Sequence, residues 1–162
     1  MQINNSRING YLSDMVAEME DIQSVLARPD DVIMQDHHIV KSLKFSTIVM
    51  AESIGNILQH FLAKKEHVAV HGFTDTFVKA GKYEIMPRDL LHRLLPFARF
   101  RNMLVHQYWR VEDGMFIENL RTGVPDFRLF IKQVRQIANE SPPETYLKQS
   151  NLVIEEIILQ KK

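Results

Sequence analysis

The 162-residue chain has no cysteine, only six glycines, six prolines and one tryptophan, and no excess of charge of either sign. Without cysteine there is no disulfide scaffold and no thiolate zinc or iron–sulfur site, and the chain fits a reducing compartment. No apolar run approaches the roughly 18 residues of a spanning helix. The Met1–Gly10 segment is polar and lacks the apolar core of a signal peptide, so the sequence reads as soluble, cytoplasmic and free of membrane. Neither a phosphate-cradling glycine loop nor a nucleophile elbow is present. Twenty Lys and Arg against 20 Asp and Glu argue against a uniform basic coat for nucleic acid. The length fits one domain able to bury roughly 70% of the surface its unfolded chain exposes.

What is present is helical periodicity. Ile8, Leu12, Met15, Met19, Ile22 and Leu26 recur in steps of four and three, drawing one stripe on a helix that should end before Pro29. After the acidic turn Pro29-Asp30-Asp31, a second stripe runs Val40, Leu43, Thr47, Met50, Ile54, Ile57, Phe61, on a long helix from about Asp36 to Ala63. Ala51 and Gly55 lie one turn apart inside it. A mid-helix glycine costs roughly 1 kcal/mol relative to alanine, so close packing against a neighbouring helix is the first explanation, and a surface admitting a partner's backbone the second. Glu52 beside them reads as a solvated carboxylate; near a tight interface it would instead hold an arginine.

His71 to Gly81 reads as a short helix with Gly81 as its left-handed stop. Pro87 suits the first position of the next helix, whose Leu90, Leu91, Leu94, Leu95 and Ala98 form an apolar face and in which Pro96 should introduce a kink. Val111–Leu120 and Pro125–Ala138 read as a short and a medium helix. Ser141-Pro142-Pro143-Glu144 is a capping box opening a C-terminal segment that suits a helix, or a strand over Leu152–Leu159. The expectation is all-α: an up-and-down four-helix bundle over residues 1–140 with extra short helices, and a C-terminal appendage over 141–162 that is not an independent domain.

The zero net charge hides a division. Lys82 to Arg110 holds six basic residues against two acidic ones, a local +4, which leaves −4 for the rest. Within that segment Phe100-Arg101-Asn102-Met103-Leu104-Val105-His106-Gln107-Tyr108-Trp109 spaces arginine, histidine and tyrosine as R-x-x-x-x-H-x-Y. Arginine offers a permanently charged planar fork for phosphate, and histidine can move a proton near neutrality. Together they are a minimal kit for phosphodiester cleavage without metal: the histidine takes the 2′-hydroxyl proton or protonates the leaving 5′-oxygen, and the arginine stabilises charge on phosphorus.

Geometry sets a condition on this. At about 100° per residue, Arg101 and His106 stand about 140° apart on a regular helix, whereas Asn102 and His106 lie one above the other. They converge on one phosphate more easily if the helix ends near His106 or if a second copy faces the first. An Arg and a His five apart also occur by chance in many helices; Asn after Arg, Tyr two after His, and the local charge set this pair apart.

This segment resembles the R-x-x-x-x-H-x-Y signature of HepT-like toxins, a branch of the HEPN superfamily of small α-helical proteins. Met50 to Ile57 with His60, then Phe73 to Gly81, then Phe100-Arg101-Asn102 leading into His106 and Tyr108, follow that family's order over roughly residues 8–138. The segment after Ser141 is longer than the family leads one to expect. The resemblance implies a homodimer whose paired motifs form a composite, metal-independent ribonuclease site in a cleft at the dimer interface. It also implies a cognate minimal nucleotidyltransferase (MNT-type) antitoxin that transfers AMP to the motif tyrosine. Carried over by position, Arg101 and His106 would be catalytic, Asn102 supporting and Tyr108 the modified residue. Arg99, Trp109 and Arg110 are candidate RNA contacts, with Trp109 equally suited to packing at a dimer interface. The alternative is a catalytically silent RNA- or nucleotide-binding module serving the same partner, or a purely structural helical dimer.

Other signals are weaker. His67 and His71 are four residues apart and His60 is nearby, but zinc wants three or four convergent ligands and no H-E-x-x-H motif is present, so these histidines read as a helix end and a loop. His37-His38 reads as a solvated helix start. No cofactor and no metal is expected.

Overall fold

The computed structural model describes residues 3–140. Over them the chain forms α1 (Asn5–Leu26), α2 (Asp30–Gln35), α3 (His37–Lys65), α4 (Phe73–Lys82), α5 (Arg88–His106), a 3-10 turn at Tyr108–Arg110 and α6 (Asp113–Glu140). The four long helices form the bundle. Each packs on the next, α1 on α3, α3 on α5 and α5 on α6, and α6 closes the ring against α1. The pairings run antiparallel: Arg93 meets Asp126 while Phe100 stacks on Phe116, and Asn4 at the start of α1 meets His60 near the end of α3. The all-α, up-and-down four-helix architecture expected from periodicity is the one observed. Expectations for residues 141–162 lie outside the described residues.

Local chemistry starts the helices. Asn4 caps α1 by accepting from the Arg7 N–H at 3.0 Å. Asp36 caps α3 by accepting from the backbone N–H groups of His38 and Ile39. Glu112 does the same for α6 through Gly114 and Met115. The predicted stripes turn inward: Ile8, Met15 and Ile22 of α1, Met50, Ile57 and Phe61 of α3, and Leu90, Leu94 and Ala98 of α5 are all buried. Among the described residues no helix is long and apolar enough to cross a membrane.

Four local expectations are corrected. Residues 30–35 form a short helix, α2, capped by the extended Pro29, where a turn was expected. Gly81 does not stop α4: the helix continues to Lys82, and the left-handed residue is Glu84 at φ 55°. Pro87 stands just outside α5 as its cap, with ψ 128°. The two helices expected over 111–138 are one, α6, with Pro125 inside it. The reason for the last is tertiary. Phe116, Ile117, Leu120, Val124, Phe127, Phe130, Ile131, Val134 and Ala138 continue one buried stripe through the proline. Burying it outweighs the single hydrogen bond that a proline removes.

α4 is the element that matters most for the site. It lies across α3 and α5, and its first residue, Phe73, sits against the backbone of α3 at Gly55, where a methyl group would overlap the ring. The glycine thus serves close packing, as first expected. Its neighbour in that contact is a side chain at a helix start.

Candidate functional site around Arg101 and His106

Arg101 projects from α5 into the angle between α3 and α4, and three elements hold its guanidinium. Nε donates to Glu52 Oε1 of α3 at 2.5 Å, and Nη2 donates to the same oxygen. Nη1 donates to Asn102 Oδ1 at 3.0 Å. The ring of Phe73 lies 5.0 Å from Cζ, within cation–π range. Glu52 therefore follows the less favoured of its two readings. It is not a solvated surface charge but the partner of the motif arginine, with a side chain 34% exposed against 23% for Arg101. The signal for this was its place beside the small residues Ala51 and Gly55, the second of which lets Phe73 of α4 lie against α3.

His106 is the last residue of α5. Gln107, at φ −144° and ψ 42°, leaves the helix, and its N–H closes the last turn on Met103 O at 2.7 Å. The helix thus ends at His106, one of the two conditions under which the groups converge more easily, and this leaves His106 exposed. None of the described hydrogen bonds joins His106 to Arg101 or Asn102. The chain brings together Arg101, Asn102, Glu52 and Phe73, and sets His106 apart on the terminal turn.

Tyr108 and Trp109 follow in the 3-10 turn, their rings edge to face with centroids 5.4 Å apart. They are 66% and 68% exposed, the most exposed large apolar side chains among the described residues. The Tyr108 hydroxyl is on a surface that an enzyme could reach. Arg110 folds back to donate to Gln107 Oε1 at 3.1 Å. Arg99 is exposed and takes part in no described ion pair.

The local +4 is smaller in space than in sequence. Arg93 donates to Asp126 at 2.8 Å and to Asp89 at 3.1 Å, and these hydrogen bonds, Asp126's first, raise its pKa above the ordinary value. Arg88 bonds to Gly81 O and approaches Glu84 at 3.8 Å, and Arg101 is paired with Glu52. Lys82, Arg99 and Arg110 take part in no described ion pair, and of the segment's positive charge it is Arg99, Arg110 and the unused edge of Arg101 that lie next to the motif in sequence. A cavity of about 290 Å³ opens between α5 and α6, lined by Pro96, Phe97, Phe100, Phe116 and Gly123. Neither Asn102 nor His106 lines it.

His60 lies near the C-terminal end of α3. It is buried within α3, where Nε2 accepts from the Asn4 N–H at 2.9 Å. Burial lowers its pKa below the ordinary value, and Arg7 and Lys64 add to this. No group of three or more His, Cys, Asp or Glu able to hold a metal ion occurs among the described residues.

Comparison with known proteins follows the same line. The family model described as ribonuclease HepT-like matches residues 15–134. A curated relative, the tRNA nuclease HepT of Aphanizomenon flos-aquae, is 24% identical over 79 residues, which is 49% of this chain. That match spans only 54% of the relative's own length. Among solved structures, a tri-AMPylated HEPN toxin of Shewanella oneidensis in complex with MNT antitoxin superposes with a TM-score of 0.74 at 18% identity. The alignment covers 80% of this chain and 97% of that one. A toxin–antitoxin complex with AMP-PNP gives 0.71 at 18% identity, covering 79% and 97% of the two chains. At this identity the likeness establishes the fold.

Proposed function

The chain belongs to the HepT-like ribonuclease family, and on that premise we propose that it is the toxin of a toxin–antitoxin pair, an endoribonuclease working without metal. The observation that carries the reading is the end of α5 at His106. It frees the imidazole from the helix barrel a few residues beyond an arginine that is already oriented. In the reaction, His106 takes the proton from a ribose 2′-hydroxyl as its oxygen attacks phosphorus. The P–O5′ bond breaks, and the leaving 5′-oxygen is protonated. The products are a 2′,3′-cyclic phosphate and a 5′-hydroxyl. Arg101 offsets the charge that builds on the phosphoryl oxygens.

One chain supplies one histidine, and that histidine makes no hydrogen bond to Arg101. Two copies facing each other supply a base and an acid. The functional unit is therefore a homodimer in the cytoplasm, with RNA as substrate. The bundle over residues 1–140 carries the site, and 141–162 is an extension of it. Arg99, Trp109 and Arg110 contact RNA beside the scissile phosphate.

The partner is a minimal nucleotidyltransferase of the MNT type that moves AMP from ATP to the Tyr108 hydroxyl, releasing pyrophosphate. A negative phosphodiester and its nucleoside two residues from His106 repel and occlude RNA. The exposure of Tyr108 supports this, and the neighbouring protein in the Shewanella complex is an antitoxin of that name.

The test is cleavage of RNA by the purified chain in excess EDTA, with end-group analysis of the products. Cyclic or 3′-phosphate ends are expected; activity that EDTA abolishes contradicts the metal-free mechanism. Intact mass and peptide mapping after co-expression with the cognate nucleotidyltransferase should show AMP on Tyr108. Modification elsewhere only, or none, detaches the chain from that partner.

A further inference from the structure

We propose that Glu52 is a positioning residue for the reaction, fixing the Arg101 guanidinium so that one N–H on each terminal nitrogen faces the phosphate. The proposal rests on the ribonuclease reading above. A guanidinium has five N–H donors. In this chain the Nε hydrogen and one Nη2 hydrogen go to Glu52 Oε1, and one Nη1 hydrogen goes to Asn102 Oδ1. What remains is one hydrogen on Nη1 and one on Nη2, the pair that binds two phosphate oxygens side by side. Phe73 covers the guanidinium from a third direction, and Phe73 can reach that place because Gly55, one turn along α3 from Glu52, has no side chain. One helix thus supplies both the acceptor and the gap that admits the ring.

The charge of Glu52 works against phosphate binding, since a carboxylate beside the arginine cancels part of its attraction. Its benefit is orientation, and the two effects separate in kinetics. Removing the carboxylate strengthens ground-state attraction for RNA and loosens the geometry needed when charge develops on phosphorus. kcat should fall and KM should fall with it. A variant that merely lowers the folded fraction reduces kcat at unchanged KM, and a carboxylate that merely sequesters the arginine would raise kcat when removed.

Both donors converge on a single oxygen, so an amide oxygen can replace it. Glu52→Gln keeps the acceptor and loses the charge, whereas Glu52→Ala loses both. The experiment is steady-state cleavage of one defined RNA by the full chain and both variants. It is paired with the Arg101 Nε–H resonance in nitrogen-15 NMR, assigned by its loss in Arg101→Lys. Misplacing a catalytic group by about 1 Å costs about 100-fold in rate. Glu52→Ala should therefore lose about that much in kcat with a lower KM, and its Nε–H signal should exchange away. Glu52→Gln should recover to within about tenfold of the parent and keep the signal. An active parent whose Glu52→Ala variant is as fast or faster, or loses kcat with KM unchanged, overturns the proposal and leaves the ribonuclease reading standing. A parent that cleaves no RNA overturns the ribonuclease reading, and this role with it.

Discussion

Replacing Gly55 by alanine sets two effects of opposite sign against each other. In an exposed helix interior, alanine is better than glycine by about 1 kcal/mol. Here the new methyl group would overlap the Phe73 ring, and Phe73 is the first residue of α4, whose Phe77 and Ala80 are buried in the core. To make room, the ring must turn or the start of that helix must shift. Forcing an extra carbon into packed space costs typically about 1–3 kcal/mol. The difference is a net loss of about 1 kcal/mol, which at a urea m-value of about 2 kcal/mol per molar lowers the unfolding midpoint by about 0.5 M with the slope unchanged. The same substitution in a Phe73→Leu background meets no ring. There alanine should be stabilising by up to about 1 kcal/mol, giving a coupling of about 2 kcal/mol between the positions. Equilibrium urea unfolding of the four proteins measures this. If Gly55→Ala alone is stabilising, or the two changes add without coupling, the contact between Phe73 and the α3 backbone does not limit that position.

Two further outcomes concern stability. His60 is neutral and accepts a hydrogen bond in the folded chain, and its folded pKa lies below the unfolded value of 6.5. The unfolded chain therefore takes up the proton first. The stabilising contribution of the neutral ring is full above pH 6.5 and declines as pH falls from there toward the folded pKa. Unfolding midpoints from pH 8 to 5 should show that decline in the parent and a flatter profile in His60→Gln; equal slopes would remove His60 as its source. Pro125→Ala distinguishes one helix from two. Inside a continuous α6 the substitution restores a hydrogen bond and should stabilise by about 1–3 kcal/mol. At the first position of a separate helix, proline is favourable and its loss would be destabilising.

Local periodicity made the bundle legible and left its joints obscure. The stripes on α1 and α3 could be read because each buried position recurs at three- or four-residue steps with no competing signal. α2 could not, because six residues are too few to show a period. Pro125 looked like a helix start because proline is common there. Only the buried line from Phe116 to Ala138, which depends on α1 and α5 being present to cover it, shows that the helix passes through. The site divides in the same way. Arg101, Asn102, His106 and Tyr108 lie within eight consecutive residues, so their spacing carried the motif. Glu52 lies 49 residues before Arg101, and the choice of that carboxylate among the 20 acidic residues is made by how α3, α4 and α5 pack. The hydrogen bond of His60 was hidden for a related reason: its partner, the Asn4 N–H, lies 56 residues away at the start of α1. The +4 segment was counted correctly, but charge counted along a chain does not reveal that Asp126 and Glu52, outside the segment, neutralise two of its arginines.

The most direct measurement is RNA cleavage by the purified chain beside its His106→Ala variant, with circular dichroism on both. His106 is exposed at the last turn of α5, so its removal should leave helical content and unfolding midpoint unchanged. Cleavage should nevertheless vanish, and with it any inhibition of growth on expression. A variant that is folded and still cleaves at the parent rate would take His106 out of the chemistry, and with it the reading of this helix end as a ribonuclease centre.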